Sequence, residues 1–279
     1  MYKNFYQLKE NPFNITADPS FFFPSQRHEE AFEHLLYGIN TRKGIIVVTG
    51  EIGTGKTTLC RMLLNRISNK VKTALILNPA FSDIQLLQLI VQDLEINCKS
   101  KNKLELANAI SSFLLQQSIQ RNNVAIIIDE CQNLNIRQLE QIRLLSNLET
   151  EKEKLLQIIL VGQPELNDKL NDHALRQLNQ RVSVRFHILP LNKGEVKHYV
   201  EHRLKIAGAN KNLMFSPEAI EAVFNYSQGT PRVINVLCDR ALLAGFVQET
   251  FLINEKIIEN CIKEIQGYRE AKLSYEYHS

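Results

Sequence analysis

The stretch Gly50-Glu51-Ile52-Gly53-Thr54-Gly55-Lys56-Thr57 determines the fold of this chain. An apolar run at 44–49 precedes it and has the length and composition of a buried strand. The segment 58–64, Thr-Leu-Cys-Arg-Met-Leu-Leu, follows it and has the pattern of a helix start. A strand, a glycine-rich turn and a helix N-terminus in this order are the context that a nucleotide phosphate loop requires. The sequence therefore predicts a phosphate loop at 50–57.

The chemistry of this loop suits the phosphates of ATP. Glycines let backbone N–H groups converge on one point, and the helix start adds unpaired N–H groups with a partial positive charge. Lys56 supplies a full positive charge, and the hydroxyl of Thr57 is a ligand for Mg²⁺. We expect the nucleotide to be bound by Gly50, Glu51, Ile52, Gly53, Thr54, Gly55, Lys56, Thr57 and Thr58.

A pair of acids follows a second apolar run. The run 124–128 ends in Asp129 and Glu130, and a strand that delivers acids at its carboxyl end lies beside the phosphate loop in this kind of sheet. Alone, Asp-Glu after an apolar run would indicate a solvated loop start. Together with the phosphate loop it predicts an ATPase. Asp129 then binds the nucleotide and joins Thr57 as a magnesium ligand, and Glu130 polarises the attacking water.

Two further polar residues are candidates for contact with the outer phosphate. Gln163 follows the predicted strand 156–161, so its amide is placed to reach the γ-phosphate or the water. Arg232 lies in Gly-Thr-Pro-Arg at 229–232 and opens a predicted helix, from which an arginine can fold back onto the phosphates. The alternative roles are a loop-capping glutamine and a surface arginine at a helix N-terminus.

An arginine that completes the site of a neighbouring subunit is the remaining candidate. Arg181 immediately precedes the predicted strand 182–189, which is where such a residue would be presented to a neighbour. Arg176 and Arg185 compete for the same role, and a solvated arginine is the alternative for each.

The pattern of elements predicts an α/β fold. Strands alternate with helices as far as Pro190, which implies a parallel sheet with helices on both faces. After Pro190 the pattern is helical only, which indicates a small all-helical lid. The aromatic first 27 residues are expected to pack onto a domain. We therefore predict an N-terminal segment plus ATPase core over 1–190, a lid over 191–268 and a frayed tail over 269–279. Predicted helices cover 28–41, 83–94, 103–120, 136–148, 166–179, 193–207, 216–226, 231–247 and 254–265, and predicted strands cover 44–49, 73–77, 124–128, 156–161 and 182–189.

Composition excludes several classes of protein. The chain has 279 residues, 44% hydrophobic and 23% charged, which fits an ordinary globular protein. No apolar run approaches the length of a membrane span, and the N-terminus has no long apolar core of a secretory signal. The 5 cysteines are scattered rather than paired at metal-ligand spacing, which favours reduced thiols inside a cell. We expect a cytoplasmic protein.

With these residues in hand, the chain resembles an AAA+ ATPase of the ExeA-like group, the general secretion pathway protein A type. The resemblance runs over nearly the whole chain. Its carriers are Asn11-Pro12-Phe13, Asp18-Pro19, Tyr37-Gly38-Ile39, the phosphate loop with Thr49, Thr58, Leu59, Cys60 and Arg61, Ile128-Asp129-Glu130, Gln132-Asn133-Leu134, Arg143-Leu144-Leu145-Ser146-Asn147-Leu148-Glu149-Thr150, Val161-Gly162-Gln163-Pro164-Glu165-Leu166, Leu175-Arg176-Gln177-Leu178-Asn179-Gln180-Arg181 and His202-Arg203-Leu204. Cys131 departs from that group, which more often has Ala there.

The resemblance implies an ATP-driven assembly or remodelling factor of a bacterial envelope export system. That system would be of the type II secretion, pilus, exopolysaccharide or protein-sorting type. Self-association as a ring or a nucleotide-dependent oligomer is implied, as is a membrane-protein partner that places the chain peripherally at the inner membrane. ExeA-type proteins carry a transmembrane segment and a peptidoglycan-binding part after the ATPase. Because this sequence ends soon after the lid, no direct peptidoglycan binding is expected.

Two other functions stay open at the level of sequence. The chain also resembles DNA-associated ATPases of the transposition-accessory and origin-recognition types. Nucleic acid is a possible but not a favoured partner, because a net charge of +3 and balanced charges after Leu191 provide no basic excess for gripping phosphates. A nucleotide-gated switch with negligible turnover is the third function, and Glu130 argues against it because a switch does not need an acid that polarises water.

Overall fold

The computed structural model describes residues 1–77, 82–151 and 153–276, with side chains of the last helix described as far as 267. In chain order the elements are α1 (Tyr2–Phe5), α2 (Gln26–Asn40), β1 (Ile45–Gly50), α3 (Lys56–Arg66), β2 (Val71–Ile76), α4 (Asp83–Asp93), α5 (Lys103–Ile119), β3 (Asn123–Ile128), α6 (Ile136–Leu145), β4 (Gln157–Gly162), α7 (Glu165–Leu170), α8 (Arg176–Asn179), β5 (Val182–Ile188), α9 (Lys193–Ile206), β6 (Met214–Phe215), α10 (Pro217–Ser227), α11 (Pro231–Val247), β7 (Leu252–Ile253) and α12 (Glu255–Glu276). Short 3-10 turns cover Pro19–Phe21, Cys131–Asn133 and His173–Leu175.

A parallel sheet organises the larger part of the molecule. In the described part of the chain it has five strands in the order β2-β3-β4-β1-β5. The three central strands are buried almost throughout, which explains why their sequences are continuous apolar runs. The edge strand β5 instead alternates between partly buried and exposed residues over most of its length. The predicted α/β class is confirmed.

The register of the strands places the candidate residues. Ile128 at the end of β3 pairs with Leu160 of β4, and Thr49 near the end of β1 pairs with Gly162. Parallel strands have their carboxyl ends on the same side of the sheet, so the residues that follow these strands meet there. We call this border of the sheet, formed by the carboxyl ends of the strands, the loop edge. The phosphate loop, the acid pair and Gln163 all leave the sheet at this edge.

Some local predictions differ from the structure. The single helix predicted over 166–179 is divided into α7, a 3-10 turn and α8. Asp172 interrupts it, because its side chain accepts a hydrogen bond from the N–H of Ala174 and caps the 3-10 turn. The helical segment after Pro190 also contains a parallel pair of two-residue strands, β6 and β7, which are too short to give a periodic pattern.

The chain divides into two compact units. One contains Met1–Ser25, Gly53–Gly55 and Pro190–Ser279, and the other contains Gln26–Ile52 and Lys56–Leu189. The first 25 residues thus group with the helical unit, which differs from the predicted grouping with the sheet.

Aromatic anchors explain this grouping of the N-terminal residues. Tyr6 is completely buried, and its hydroxyl lies 3.2 Å from the carbonyl oxygen of Leu242 and 3.0 Å from that of Thr250. The buried guanidinium of Arg203 donates to the carbonyls of Pro12 and Asn14. These contacts join the N-terminal segment to the core of the helical unit.

The last helix is longer than predicted. Helix α12 continues to Glu276, through most of the segment 269–279 that was expected to fray, and 277–279 lie outside the described residues. Within the described ranges, no helix combines the length and the apolar composition that crossing a bilayer requires.

Candidate active site

The phosphate loop adopts a conformation that depends on glycine. Gly53 and Gly55 have φ angles of +82° and +94°, a left-handed backbone that residues with a Cβ rarely adopt. Helix α3 begins directly after them at Lys56. The loop therefore turns from β1 into a helix N-terminus within a few residues, as the sequence predicts.

Lys56 is a buried cation turned onto its own loop. It is 6% exposed, and its Nζ donates hydrogen bonds to the carbonyl oxygens of Gly50 at 2.7 Å and Glu51 at 2.8 Å. Burial lowers the pKa of Lys56, and the nearby carboxylates of Glu130, Asp129 and Glu51 oppose that shift. Because carbonyl groups carry no net charge, they do not neutralise the ammonium group, and its positive charge can still attract an anionic ligand.

The two predicted magnesium ligands touch each other. Asp129 is 1% exposed, and its Oδ2 accepts a hydrogen bond of 2.5 Å from the hydroxyl of Thr57. Its Oδ1 accepts the backbone N–H of Glu130 at 2.9 Å. Burial raises the pKa of Asp129, and the hydrogen bond from Thr57 opposes that shift. A hydroxyl and a carboxylate side by side fit Mg²⁺, which prefers oxygen ligands and binds through few protein groups.

Glu130 has an unusual backbone. Its φ of 56° lies in the left-handed region, where a residue with a side chain costs of the order of 1 kcal/mol or more. This conformation turns the chain sharply from β3 into the 3-10 turn Cys131–Asn133. Six other described non-glycine residues also have a positive φ, so this backbone by itself does not mark a functional position.

The carboxylate of Glu130 lies between two glutamine amides. Its Oε2 accepts a hydrogen bond of 2.5 Å from Nε2 of Gln132 and lies 3.5 Å from Nε2 of Gln163. The structure therefore brings together Glu130 and Gln163, which are 33 positions apart in sequence. Gln132 is one of the residues that carry the family resemblance, and the sequence assigns no role to it. Its contact with Gln163 is tertiary, so sequence periodicity could not have indicated it.

Among the candidate arginines, Arg181 lies away from the loop edge of the sheet. Val182, the residue after Arg181, pairs with Ile45 at the start of β1, whereas Gly50 at the end of β1 pairs with Ile188. Arg181 is therefore at the opposite edge of the sheet, about 20 Å from the loop at the usual rise per strand residue.

The other two arginines occupy different surroundings. Arg185 donates to the side-chain oxygens of Asn167 and Asn179, the former at 3.3 Å, so it is engaged within its own subunit. Burial lowers its pKa. Arg176 is exposed at the first position of α8.

Arg232 is the second residue of α11, in the helical unit, and its side chain is exposed. Within that unit, which includes Gly53–Gly55, the backbone N–H of Arg232 donates to the carbonyl of Gly53 at 3.2 Å. A Cβ added at Gly53 would lie 2.6 Å from the Cβ of Arg232, so glycine is required there for a steric reason as well.

Comparison with known proteins agrees with this geometry. Residues 39–170 match the family described as "AAA domain". The chain is 40% identical over 271 residues to general secretion pathway protein A of Aeromonas hydrophila. That match covers 97% of this chain but 49% of the relative, so the chain spans about half the length of the curated protein.

Solved structures share the fold at low sequence identity. The ORC2 protein of Aeropyrum pernix, in ADPNP and ADP complexes, superposes with a TM-score of 0.67 at 15% identity, covering 88% of this chain and 71% of that one. The RuvB Holliday junction branch migration motor of Thermotoga maritima has a TM-score of 0.58 at 16% identity, covering 87% of this chain and 70% of that one. Similarity at this level of sequence identity establishes a common architecture but not a common biological role.

Proposed function

We propose that this chain, which is similar to general secretion pathway protein A over 97% of its length, is an AAA+ ATPase that hydrolyses ATP to assemble or remodel a bacterial envelope export system. The observation that carries the ATPase chemistry is the convergence of Lys56, the Thr57–Asp129 pair and Glu130 at one edge of the sheet. Phosphoryl transfer depends mainly on positioning and charge neutralisation, and these residue types provide both.

Each residue of the loop edge has a defined task in this proposal. Lys56 leaves the carbonyls of Gly50 and Glu51 and neutralises the outer phosphates. Thr57 and Asp129 would hold Mg²⁺, which would supply a positive charge that offsets the negative charge of the phosphates. Their present hydrogen bond keeps the hydroxyl and the carboxylate side by side.

Glu130 activates the water in this proposal. As a carboxylate it accepts a proton from water that attacks the γ-phosphate, and the products are ADP and inorganic phosphate. Gln163 orients the γ-phosphate or the same water, since its amide already lies 3.5 Å from Glu130. Arg232 is proposed as a further cation for the phosphates.

Arg181 acts in trans in this proposal. Its place at the opposite edge of the sheet, far from the loop of its own subunit, supports presentation to a neighbour. An arginine supplied by a neighbour stabilises negative charge in the transition state, so the chain hydrolyses ATP efficiently only after self-association.

The envelope role rests on the sequence relationship to general secretion pathway protein A. We propose a location on the cytoplasmic side of the inner membrane, reached through a membrane-protein partner. Duplex DNA is the alternative partner, which the fold shared with ORC2 and RuvB brings into consideration.

The experiment that tests this function is ATP turnover against protein concentration, with and without duplex DNA at moderate salt. We expect specific activity to rise with concentration and to be the same with DNA. Activity that is independent of concentration contradicts the role of Arg181 in trans. A rate that DNA stimulates severalfold, and that high salt abolishes, contradicts the envelope role in favour of the DNA-associated one.

A further inference from the structure

We infer that Gln132 is a positioning residue that holds the carboxylate of Glu130 in place for its reaction with water. This inference rests on the proposed role of Glu130. Gln132 lies in the 3-10 turn Cys131–Asn133 and is partly buried. Nothing in its local sequence distinguishes it from a surface glutamine, so we draw the inference from its contacts alone.

Gln132 uses both ends of its amide. Its Nε2 donates to Oε2 of Glu130 at 2.5 Å, and its Oε1 accepts the backbone N–H of Gln163 at 3.1 Å. The orientation of the amide is determined by its neighbours, because a carboxylate requires a donor and an N–H requires an acceptor. Gln132 therefore links the acid to the end of β4, the strand that presents Gln163.

The turn that carries Gln132 is fixed from two further sides. Nζ of Lys169, in α7, donates to the carbonyls of Gln132 and Leu134, the latter at 2.9 Å. Gly162 packs against the side chain: a Cβ added at Gly162 would lie 3.0 Å from Oε1 of Gln132 and 3.3 Å from its backbone N. The amide is thus confined between α7 and β4, and it confines Glu130 in turn.

Confinement matters here because Glu130 has a strained backbone at φ 56°. A carboxylate on a strained turn has other rotamers available, and a base that is displaced by about 1 Å loses much of its rate. A hydrogen bond from a fixed amide selects one rotamer. It leaves the carboxylate able to accept a proton, since an amide donor does not supply one.

The variant Gln132→Glu separates positioning from simple packing. A glutamate at 132 still accepts the N–H of Gln163 but cannot donate to Glu130, and it places a second carboxylate beside the first. We expect kcat to fall about tenfold, as for loss of one hydrogen bond to a charged group, with the dissociation constant of a fluorescent ATP analogue unchanged. Gln132→Ala is expected to give the same split between kcat and affinity.

Asn133→Ala is the matched control, because Asn133 is the next residue of the same turn and is exposed. Gly162→Ala is an independent test, since it displaces the amide of Gln132 without changing either partner. We expect Asn133→Ala to behave as the unmodified protein and Gly162→Ala to lower kcat with nucleotide affinity retained.

A double-mutant cycle tests whether Gln132 acts through Glu130. Added to Glu130→Gln, the change Gln132→Glu should lower turnover no further, because the residue it positions is already inactive. The same double variant restores an amide-to-carboxylate pair, so its melting temperature without nucleotide should exceed that of Gln132→Glu alone.

The outcomes are distinguishable. Turnover of Gln132→Glu equal to that of Asn133→Ala, or a rise in kcat, overturns the positioning role. Loss of nucleotide affinity in parallel with kcat overturns it in favour of a structural role. If Glu130→Gln itself retains turnover, the proposed role of Glu130 is wrong, and that result is obtained independently of every Gln132 variant.

Discussion

Lys56 is buried, and burial disfavours the charged form of its side chain. Burial lowers its pKa below the ordinary lysine value, so the folded state binds its proton less tightly than the unfolded chain does. By linkage, this lysine disfavours folding at pH values below its folded pKa, and the disadvantage disappears as the pH rises through its unfolded pKa. Such a residue is kept for its ligand rather than for stability.

We therefore predict that Lys56→Ala strongly weakens or abolishes nucleotide binding without unfolding the protein. Loss of a charge-assisted contact should weaken ATP binding by about 10-fold to 100-fold or more, whereas the melting temperature should stay the same or rise. Binding of a fluorescent ATP analogue and thermal melts measure the two effects. Lys70→Ala, at an exposed lysine, is the control. Normal ATP affinity in Lys56→Ala would contradict the phosphate-loop assignment.

Glu130 permits a second prediction at this scale. Glu130→Gln keeps the size of the side chain and removes its basicity, so bound ATP should persist while turnover falls by about 100-fold to 10,000-fold. Single-turnover measurements with labelled ATP give both quantities. Glu165→Gln changes an exposed acid in α7 and should leave turnover unaffected. Retained hydrolysis in Glu130→Gln would remove this residue from the role of base.

At the scale of elements, local signals explain most boundaries. Helices α4, α6 and α9 begin with capping boxes, in which Ser82, Asn135 and Asn192 each pair with the residue three positions later. Such signals are short-range, so the sequence predicts these helix starts closely. The turn before α11 is different, because Gly229 has a φ of +73° and lies against the backbone of Leu191.

We predict that Gly229→Ala destabilises the helical unit. A Cβ at this position would lie 1.8 Å from the carbonyl oxygen of Leu191, and the backbone would have to move to relieve this overlap. The positive φ adds about 1 kcal/mol to the loss of stability. Urea unfolding followed by circular dichroism measures the change.

Gly267→Ala is the matched control for this substitution. Among the described residues, no atom other than the neighbouring backbone of its own helix lies within 4 Å of a Cβ added at Gly267, which is part of α12. Because alanine favours helices over glycine by about 1 kcal/mol, this variant should be as stable as the unmodified protein or more so. Equal unfolding midpoints for Gly229→Ala and the unmodified protein would contradict the steric argument.

At the scale of the whole molecule, the register of the sheet determines whether Arg181 can reach the phosphate loop of its own subunit. Arg181 and the phosphate loop lie at opposite edges of the same sheet, so one subunit cannot bring its own Arg181 to its own loop without unfolding β5. An active site completed in trans therefore needs at least two copies of the chain.

We predict that two inactive variants complement each other. Arg181→Ala retains an intact loop, and Lys56→Ala retains an intact Arg181, so mixing them should restore part of the ATPase activity. An arginine in trans contributes about 1,000-fold to 100,000-fold in rate, so partial restoration is measurable above either variant alone. Arg176→Ala mixed with Lys56→Ala shows whether the rescue is particular to Arg181. No rescue at any ratio would assign the trans role to another residue.

The sequence by itself determined the phosphate loop, the acid pair and the alternation of strands and helices. Each of these depends on neighbours within a few positions, through glycine backbone freedom, helix capping and continuous apolar runs. Only the tertiary structure decided that Gln132 joins Glu130 to Gln163 and that the first 25 residues group with the helical unit. It also decided that Arg181 lies at the far edge of the sheet. These facts depend on strand register and on side chains far apart in sequence, which no local pattern encodes.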